Sequence, residues 1–173
     1  MHDPEHERFR ELYRRHRHAV TAYVRRRAPG PVVEDIVADT FLVCWRRRDQ
    51  VPAEALPWLY AVASRTLAND RRKRSHAEAA ATASALANLT EMKPAGDPLL
   101  ASAFADLSQS DREVLSLVAW EDLTIHEAAT VLGCSPVACR VRLHRARRRL
   151  AARLFRIEAH ETSTAPLSEG ATQ

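Results

Sequence analysis

The run LTIHEAATVLGCSPVACRVRLHRARRRL, residues 123–150, leaves the chain few ways to fold. Thr124 and Glu127 stand three apart ahead of an apolar segment, the T-x-x-E spacing in which a hydroxyl and a carboxylate each satisfy an open backbone N–H at a helix start. Ala128, Ala129, Val131 and Leu132 supply small and apolar packing positions. Gly133 follows, and glycine ends a helix with least strain because it has no Cβ to clash in the left-handed region. Ser135 then serves as N-cap, and Pro136 at the first helical position loses no hydrogen bond that a helix would have made. In the next helix Cys139, Leu143, Ala146 and Leu150 form one stripe, while Val137, Arg140, Val141, His144, Arg145 and Arg148 form another. The first stripe suits a core and the second suits phosphates and base edges. Cap, breaker, turn and bipolar basic helix agree on a helix-turn-helix.

The rest of the chain must be consistent with that unit. Only 4 glycines in 173 residues and few β-branched runs favour an all-α fold over sheet. The length accommodates one medium domain or two small ones. A net charge of +4 understates the asymmetry, because basic residues gather at 71–74 and along 140–156, which points to a polyanion as partner. An odd number of cysteines, 3, at scattered positions makes neither a disulfide framework nor a zinc spacing, so a reducing, cytoplasmic setting is expected. The start, MHDPEHERF, lacks the apolar stretch of a signal peptide, and no window approaches the roughly 18 apolar residues needed to cross a bilayer, so no direct membrane insertion is expected.

Taken in order, Phe9, Leu12, Tyr13, His16, Val20, Tyr23 and Val24 recur at helical spacing, and Pro29 and Gly30 close that helix. His2, His6, His16 and His18 read as solvated surface, since residues two apart on a helix do not face one another; no metal is expected. A second helix over 32–48 buries Val33, Ile36, Val37, Thr40, Phe41, Cys44 and Trp45 and leaves Glu34, Asp35 and Asp39 outside as an acidic patch. That patch either complements the macrodipole near the helix start or docks a basic partner. After a loop at 52–57, WLYAVASRTLANDRRKR predicts a third helix with Trp58, Leu59, Val62, Thr66 and Leu67 inward and Arg65, Asn69, Arg72 and Lys73 outward or flanking. A ring beside guanidinium groups suits unpaired bases, but a tryptophan at the start of a helix is more often core than a stacking platform, and Trp58 alone is weak evidence. Composition turns alanine-rich at 75–97, predicting a flexible linker between a first domain over 1–74 and a second, four-helix, winged-helix-like domain over 98–157, with a disordered tail over 158–173.

Two separated blocks resemble one family, the bacterial RNA polymerase sigma factors, in the small two-domain extracytoplasmic-function group of the sigma-70 family. FRELYRRHRHAVTAYV, VVEDIVADTFLVCWRR and WLYAVASRTLANDRRKR carry the likeness in the first block, and LSQSDREVLSLVAWEDLTIHEAATVLGCSPVACRVRLHRARRRL carries it in the second, over most of residues 8–153. The resemblance implies that the first domain docks on core RNA polymerase through Asp35 and Asp39, assisted by Glu34, and melts the minus-ten element of promoter DNA. Ala38 stands where the family often has Gln. Arg65, Asn69, Arg71 and Arg72, with Trp58 at the edge, match the minus-ten reader, while Ser64 and Asp70 depart from its usual residues. In the minus-thirty-five reader, Arg140, Val141, His144 and Arg145 fall toward base edges, and Arg142, Arg147, Arg148 and Arg149 toward phosphates. Cys139 occupies an aliphatic position of the family. An anti-sigma factor is a further implied partner.

The competing reading is a helix-turn-helix transcriptional regulator whose first domain senses a ligand or dimerises. An enzyme finds no support: no Gly-rich phosphate loop or nucleophile motif occurs, and no catalytic residue or cofactor is expected.

Overall fold

The computed structural model of the chain describes residues 4–80 and 97–164. Helices α1 (Pro4–Arg25), α2 (Val33–Arg46) and α3 (Ala55–Ala80) form the first domain, and α4 (Pro98–Ala105), α5 (Gln109–Ala119), α6 (Ile125–Leu132) and α7 (Pro136–Thr164) the second. Single 3-10 turns, Gly30–Val32 and Arg48–Gln50, flank α2. No strand occurs among the described residues.

The apolar period of each helix becomes its buried face. Val20, Tyr23 and Val24 of α1 meet Val33, Ile36, Val37, Phe41 and Cys44 of α2 and Leu59, Tyr60, Ala63 and Leu67 of α3. Thr40, buried among them, donates its hydroxyl hydrogen to the Ile36 carbonyl at 2.7 Å, so its polar atom costs the core little. Phe104, Leu107, Val114, Leu117, Leu123, Ala128, Ala129, Cys139, Leu143 and Ala146 are the buried residues of the second domain, and they are continuous with those of the first in one apolar cluster.

Helix ends follow the expected chemistry. Ser108 accepts from the Asp111 N–H at 3.2 Å, and Asp97 accepts from the Leu99 N–H at 2.8 Å. Thr124 and Glu127 form the reciprocal box, with Thr124 N–H donating to Glu127 Oε2 at 2.8 Å and Glu127 N–H to Thr124 Oγ1 at 3.3 Å. Gly133 ends α6 at φ 63°, and Ser135 accepts from the Ala138 N–H at 3.2 Å.

Three boundaries differ from the sequence expectation. α1 starts at Pro4, ahead of Phe9, with Glu5 and Glu7 placed where the macrodipole favours them. α3 runs past residue 74 to Ala80, because SHAEAA holds no helix breaker; the remainder of the expected linker, 81–96, lies outside the described residues. α7 runs past Arg156 to Thr164, since no Gly or Pro interrupts 137–165, so the helix takes 158–164 from the expected disordered tail. Residues 165–173 lie outside the described residues.

The two domains touch. α6 of the helix-turn-helix packs against α3, and a cluster of ion pairs joins the end of α1 to α5 and the turn after it.

Candidate nucleic-acid interface

α7 separates its two stripes cleanly. Cys139 and Ala146 are fully buried, Leu143 is buried and Leu150 half-buried, which locks the helix on the domain. Arg140, Val141, Arg142, His144, Arg145, Arg147 and Arg148 are all exposed, with Val137 at 70% the most open apolar side chain of the stripe. An apolar side chain kept in solvent beside guanidinium groups is what contact with a thymine methyl needs. Arg149 departs from the phosphate role expected of it. Its Nη1 donates to both Asp111 oxygens at 2.8 Å, tying α7 to the start of α5.

On the first domain the expected residues divide. Arg65, Asn69 and Arg72 are exposed along one side of α3, and Arg72 Nη2 donates to Asn69 Oδ1 at 2.8 Å, holding the amide in place. Arg71 instead turns inward, its Nη2 donating to the Arg27 carbonyl at 2.9 Å. Trp58 is half-buried, packed against the core.

The acidic patch also splits. Glu34 faces α1, with Arg17 at 3.3 Å and Arg25 at 4.0 Å from its oxygens. Asp35 and Asp39 face the other way, into a groove shared with Arg46, Thr66, Asn69, Asp70 and Lys73. A second groove, between α1 and α2, is lined by Phe9, Tyr13, Ala38, Phe41, Leu42 and Trp45. Leu42 is 44% exposed there, and the small Ala38 leaves the wall low.

Sequence reasoning missed the ionic cluster between the domains. Arg27, 4% exposed, donates from Nε to both Glu113 oxygens at 3.1 Å, and from Nη1 to Glu121 Oε1 at 2.9 Å and the Tyr23 carbonyl at 3.0 Å. Arg26 Nε donates to Glu121 Oε1 at 3.2 Å, and the Tyr23 hydroxyl donates to Glu113 Oε1 at 3.1 Å. The Arg27 guanidinium lies 3.6 Å from the Tyr23 ring centroid, and that ring stacks on Tyr60 at 4.6 Å. Burial opposes charge on Arg27, but Tyr23, Glu113 and Glu121 together outweigh it and hold the guanidinium more firmly protonated than usual. Burial, followed by the Glu121 charge, pushes Tyr60 up to about 12, so the aromatic pair stays neutral around it. The only available sequence signal was a run of three arginines, residues 25–27, at a helix end.

Burial pushes the Cys44 thiol up to about 11 and also raises Cys139, as expected of packing cysteines; Cys134 in the turn is half-buried. No group of His, Cys, Asp and Glu suited to a metal ion occurs among the described residues, where His6 lies against Trp45 with ring centroids 4.7 Å apart. No described helix is long and apolar enough to cross a membrane.

Residues 12–77 match the family model for Sigma-70 region 2, and residues 99–150 match that for Sigma-70, region 4. The chain is 31% identical over 161 residues to the RNA polymerase sigma factor NccH of Alcaligenes xylosoxydans xylosoxydans, covering 84% of this chain and 86% of that protein. It is 28% identical over 158 residues to the RNA polymerase sigma factor CarQ of Myxococcus xanthus, covering 87% and 91%. A third relative, named probable RNA polymerase sigma factor RfaY, of Xanthomonas campestris pv. campestris, is 35% identical over 128 residues, which is 66% of this chain and about a third, 32%, of that protein's length. Among solved structures, CnrH in complex with the cytosolic domain of CnrY aligns at TM-score 0.58 and 28% identity over 85% of this chain and 87% of that one. The sigma factor RpoE in complex with the anti-sigma factor NepR from Bartonella quintana shares the fold at TM-score 0.64 and 22% identity, over 86% and 98%.

Proposed function

The chain belongs to the sigma-70 family of RNA polymerase sigma factors, in its extracytoplasmic-function group, and from that premise we propose how its surfaces divide the work of directing promoter-specific initiation. The observation that carries the assignment is the exposed stripe on α7, set on a helix-turn-helix and joined to a first domain whose groove is lined by both acidic and basic side chains. Arg140, Val141, His144 and Arg145 read base edges of the minus-thirty-five element in the major groove, and Arg142, Arg147 and Arg148 hold phosphates on either side. Arg65, Asn69 and Arg72 meet the minus-ten strand, with Arg71 bracing the helix from behind and Trp58 at the edge, packed on the core.

Asp35 and Asp39 dock on core RNA polymerase. Two carboxylates without an arginine partner from α1 are available to a basic partner, whereas Glu34 is already engaged by Arg17 and Arg25 and steadies the same helix. The neighbouring apolar groove around Leu42 extends that docking face. An anti-sigma factor is the fitting regulator, because the solved relatives CnrH and RpoE were each captured with a partner protein. The protein makes and breaks no covalent bonds in this role, and it works in the cytoplasm, where polymerase and chromosome are. In vitro transcription with core polymerase on fragmented genomic DNA tests the assignment: start sites should share two spaced upstream elements. Random starts, or promoter binding by the chain alone as strong as with core, would refute it.

A further inference from the structure

The end of α1 carries positive charge that the first domain does not balance alone. Arg26 and Arg27 both find their carboxylates on the second domain, at Glu121 and Glu113. Arg71 enters the same corner through its bond to the Arg27 carbonyl. If the two glutamates moved away, three guanidinium groups would share that corner with no carboxylate of the first domain paired to Arg26, Arg27 or Arg71 among the described residues.

The arrangement of Arg27 does not depend on the second domain for its shape. Its plane rests on the Tyr23 ring, Tyr23 rests on Tyr60, and the Tyr23 carbonyl takes one of its N–H groups. These contacts lie wholly within the first domain. Moreover the two glutamates do not use the whole fork: Arg27 Nη2 is buried with no acceptor among the described residues. A guanidinium preorganised by an aromatic face, with a donor left over, is a better match to a ligand rich in acceptor oxygens than to the two carboxylates it now holds.

We propose that Arg26, Arg27 and Arg71 form an anion site of the first domain for the phosphodiester backbone of DNA, occupied by Glu113 and Glu121 while the two domains lie together. DNA is favoured over an acidic protein by continuity: Arg71 is the inner neighbour of Arg72 and Lys73 on α3, so the corner prolongs a basic helix already assigned to DNA. The inference rests on that assignment of α3. Phosphate oxygens and the two carboxylates compete for the same guanidinium groups, so the corner holds one or the other. Domain separation and backbone binding are therefore linked, each favouring the other.

The full chain with Glu113→Gln and Glu121→Gln tests this, by fluorescence anisotropy on a labelled duplex of scrambled sequence and by small-angle scattering. The variant should bind more tightly, on the order of tenfold at 0.1 M salt, with the slope of log K against log salt steeper by about two to three. Its scattering should report a larger radius of gyration. Adding Arg26→Gln and Arg71→Gln should return the affinity to the wild-type value. Unchanged affinity in the variant, whether or not the domains part, overturns the proposal; so does a gain that survives the arginine changes, since it would then come from another part of the surface. An equal gain for poly-glutamate would assign the corner to acidic protein and overturn it as well. Core polymerase capture by the wild-type chain, measured alongside, reports on the sigma-factor assignment separately.

Discussion

Arg148 and Arg149 are adjacent arginines on one helix, yet they should fail in different ways when truncated. Arg149 donates both of its short bonds, 2.8 Å each, to an Asp111 carboxylate that is only 8% exposed, while the Arg149 side chain is itself 58% exposed. Arg149→Ala leaves that carboxylate with the Ser108 hydroxyl, 2.8 Å away, as its remaining side-chain donor. Hydrogen bonds to charged groups contribute about 1.5–3 kcal/mol, and solvent screening on the arginine side puts this pair at the low end, about 1.5 kcal/mol. For a domain of this size each kcal/mol is worth roughly 4–8 °C, so the melting transition of the second domain should fall by about 6–12 °C. Arg148 is exposed, and Arg148→Ala should stay within about 0.5 kcal/mol of wild type in stability. In binding to a minus-thirty-five duplex, however, the salt slope should shrink by about 1 for Arg148→Ala and remain unchanged for Arg149→Ala measured below its melting range. Calorimetry and anisotropy across a salt series read the two effects. An unchanged melt together with a reduced salt slope for Arg149→Ala would refute its role as a strut and restore it to the phosphate set.

Arg145→Ala should cost about 1–3 kcal/mol at particular base pairs of the upstream element and little elsewhere, as read by binding to a panel of promoter variants. Asp35→Lys in the full chain should lose core polymerase in a pull-down while its affinity for a minus-thirty-five duplex persists. Gly133→Ala should destabilise by about 1 kcal/mol, since a Cβ there meets nothing within 4 Å and only the left-handed backbone at φ 63° resists it; thermal melting of Ala and Asn variants should place Asn between Ala and Gly. Hydrogen bonds from the Thr124 hydroxyl, then from its backbone, hold Glu127 below the ordinary carboxylate range, so its contribution is present above that range and is lost as pH falls through the depressed value. The melting difference between wild type and Glu127→Gln should accordingly be full at pH 7 and vanish at strongly acid pH.

What was legible in the sequence was whatever neighbours decide. Thr124 and Glu127 are three residues apart, Gly133 acts on its own backbone, and the period of Cys139, Leu143 and Ala146 needs only the helix that carries it, so the helix-turn-helix and its outward stripe appear as read. The errors came from contacts across long separations. Arg149 reads as one more phosphate arginine until Asp111, 38 residues away, claims it. Glu34 reads as a member of one acidic patch until Arg17 and Arg25 of another helix turn it aside. Partners of Arg26 and Arg27 lie 86 to 95 residues off, and no periodicity signals them. Helix lengths failed for a different reason: alanine-rich or polar composition suggested linker and tail, but without Gly or Pro the backbone had no cause to leave the helix.

The character of the interdomain contact bears on how such a protein changes partners. A buried ion pair is weak evidence for stability, because desolvating both charges offsets most of their attraction. Losing one partner, by contrast, is strongly unfavourable, since the other charge remains buried and unpaired. Arg27 with Glu121, their side chains 3% and 2% exposed, thus specifies which surfaces meet more than it holds them together. Adhesion comes instead from apolar packing, where α6 lies on α3 and the buried residues of the two domains run together in one cluster. A competing anion therefore acts on the charges that fix the pairing, against this apolar background. Opening the seam uncovers the surfaces of α3 and α6 that pack on one another, whereas Arg65, Asn69, Arg72 and the outward stripe of α7 are exposed already in the closed arrangement. An anion that takes Arg27 from Glu113 and Glu121 thus acts on the closure of the two domains rather than on access to either exposed face.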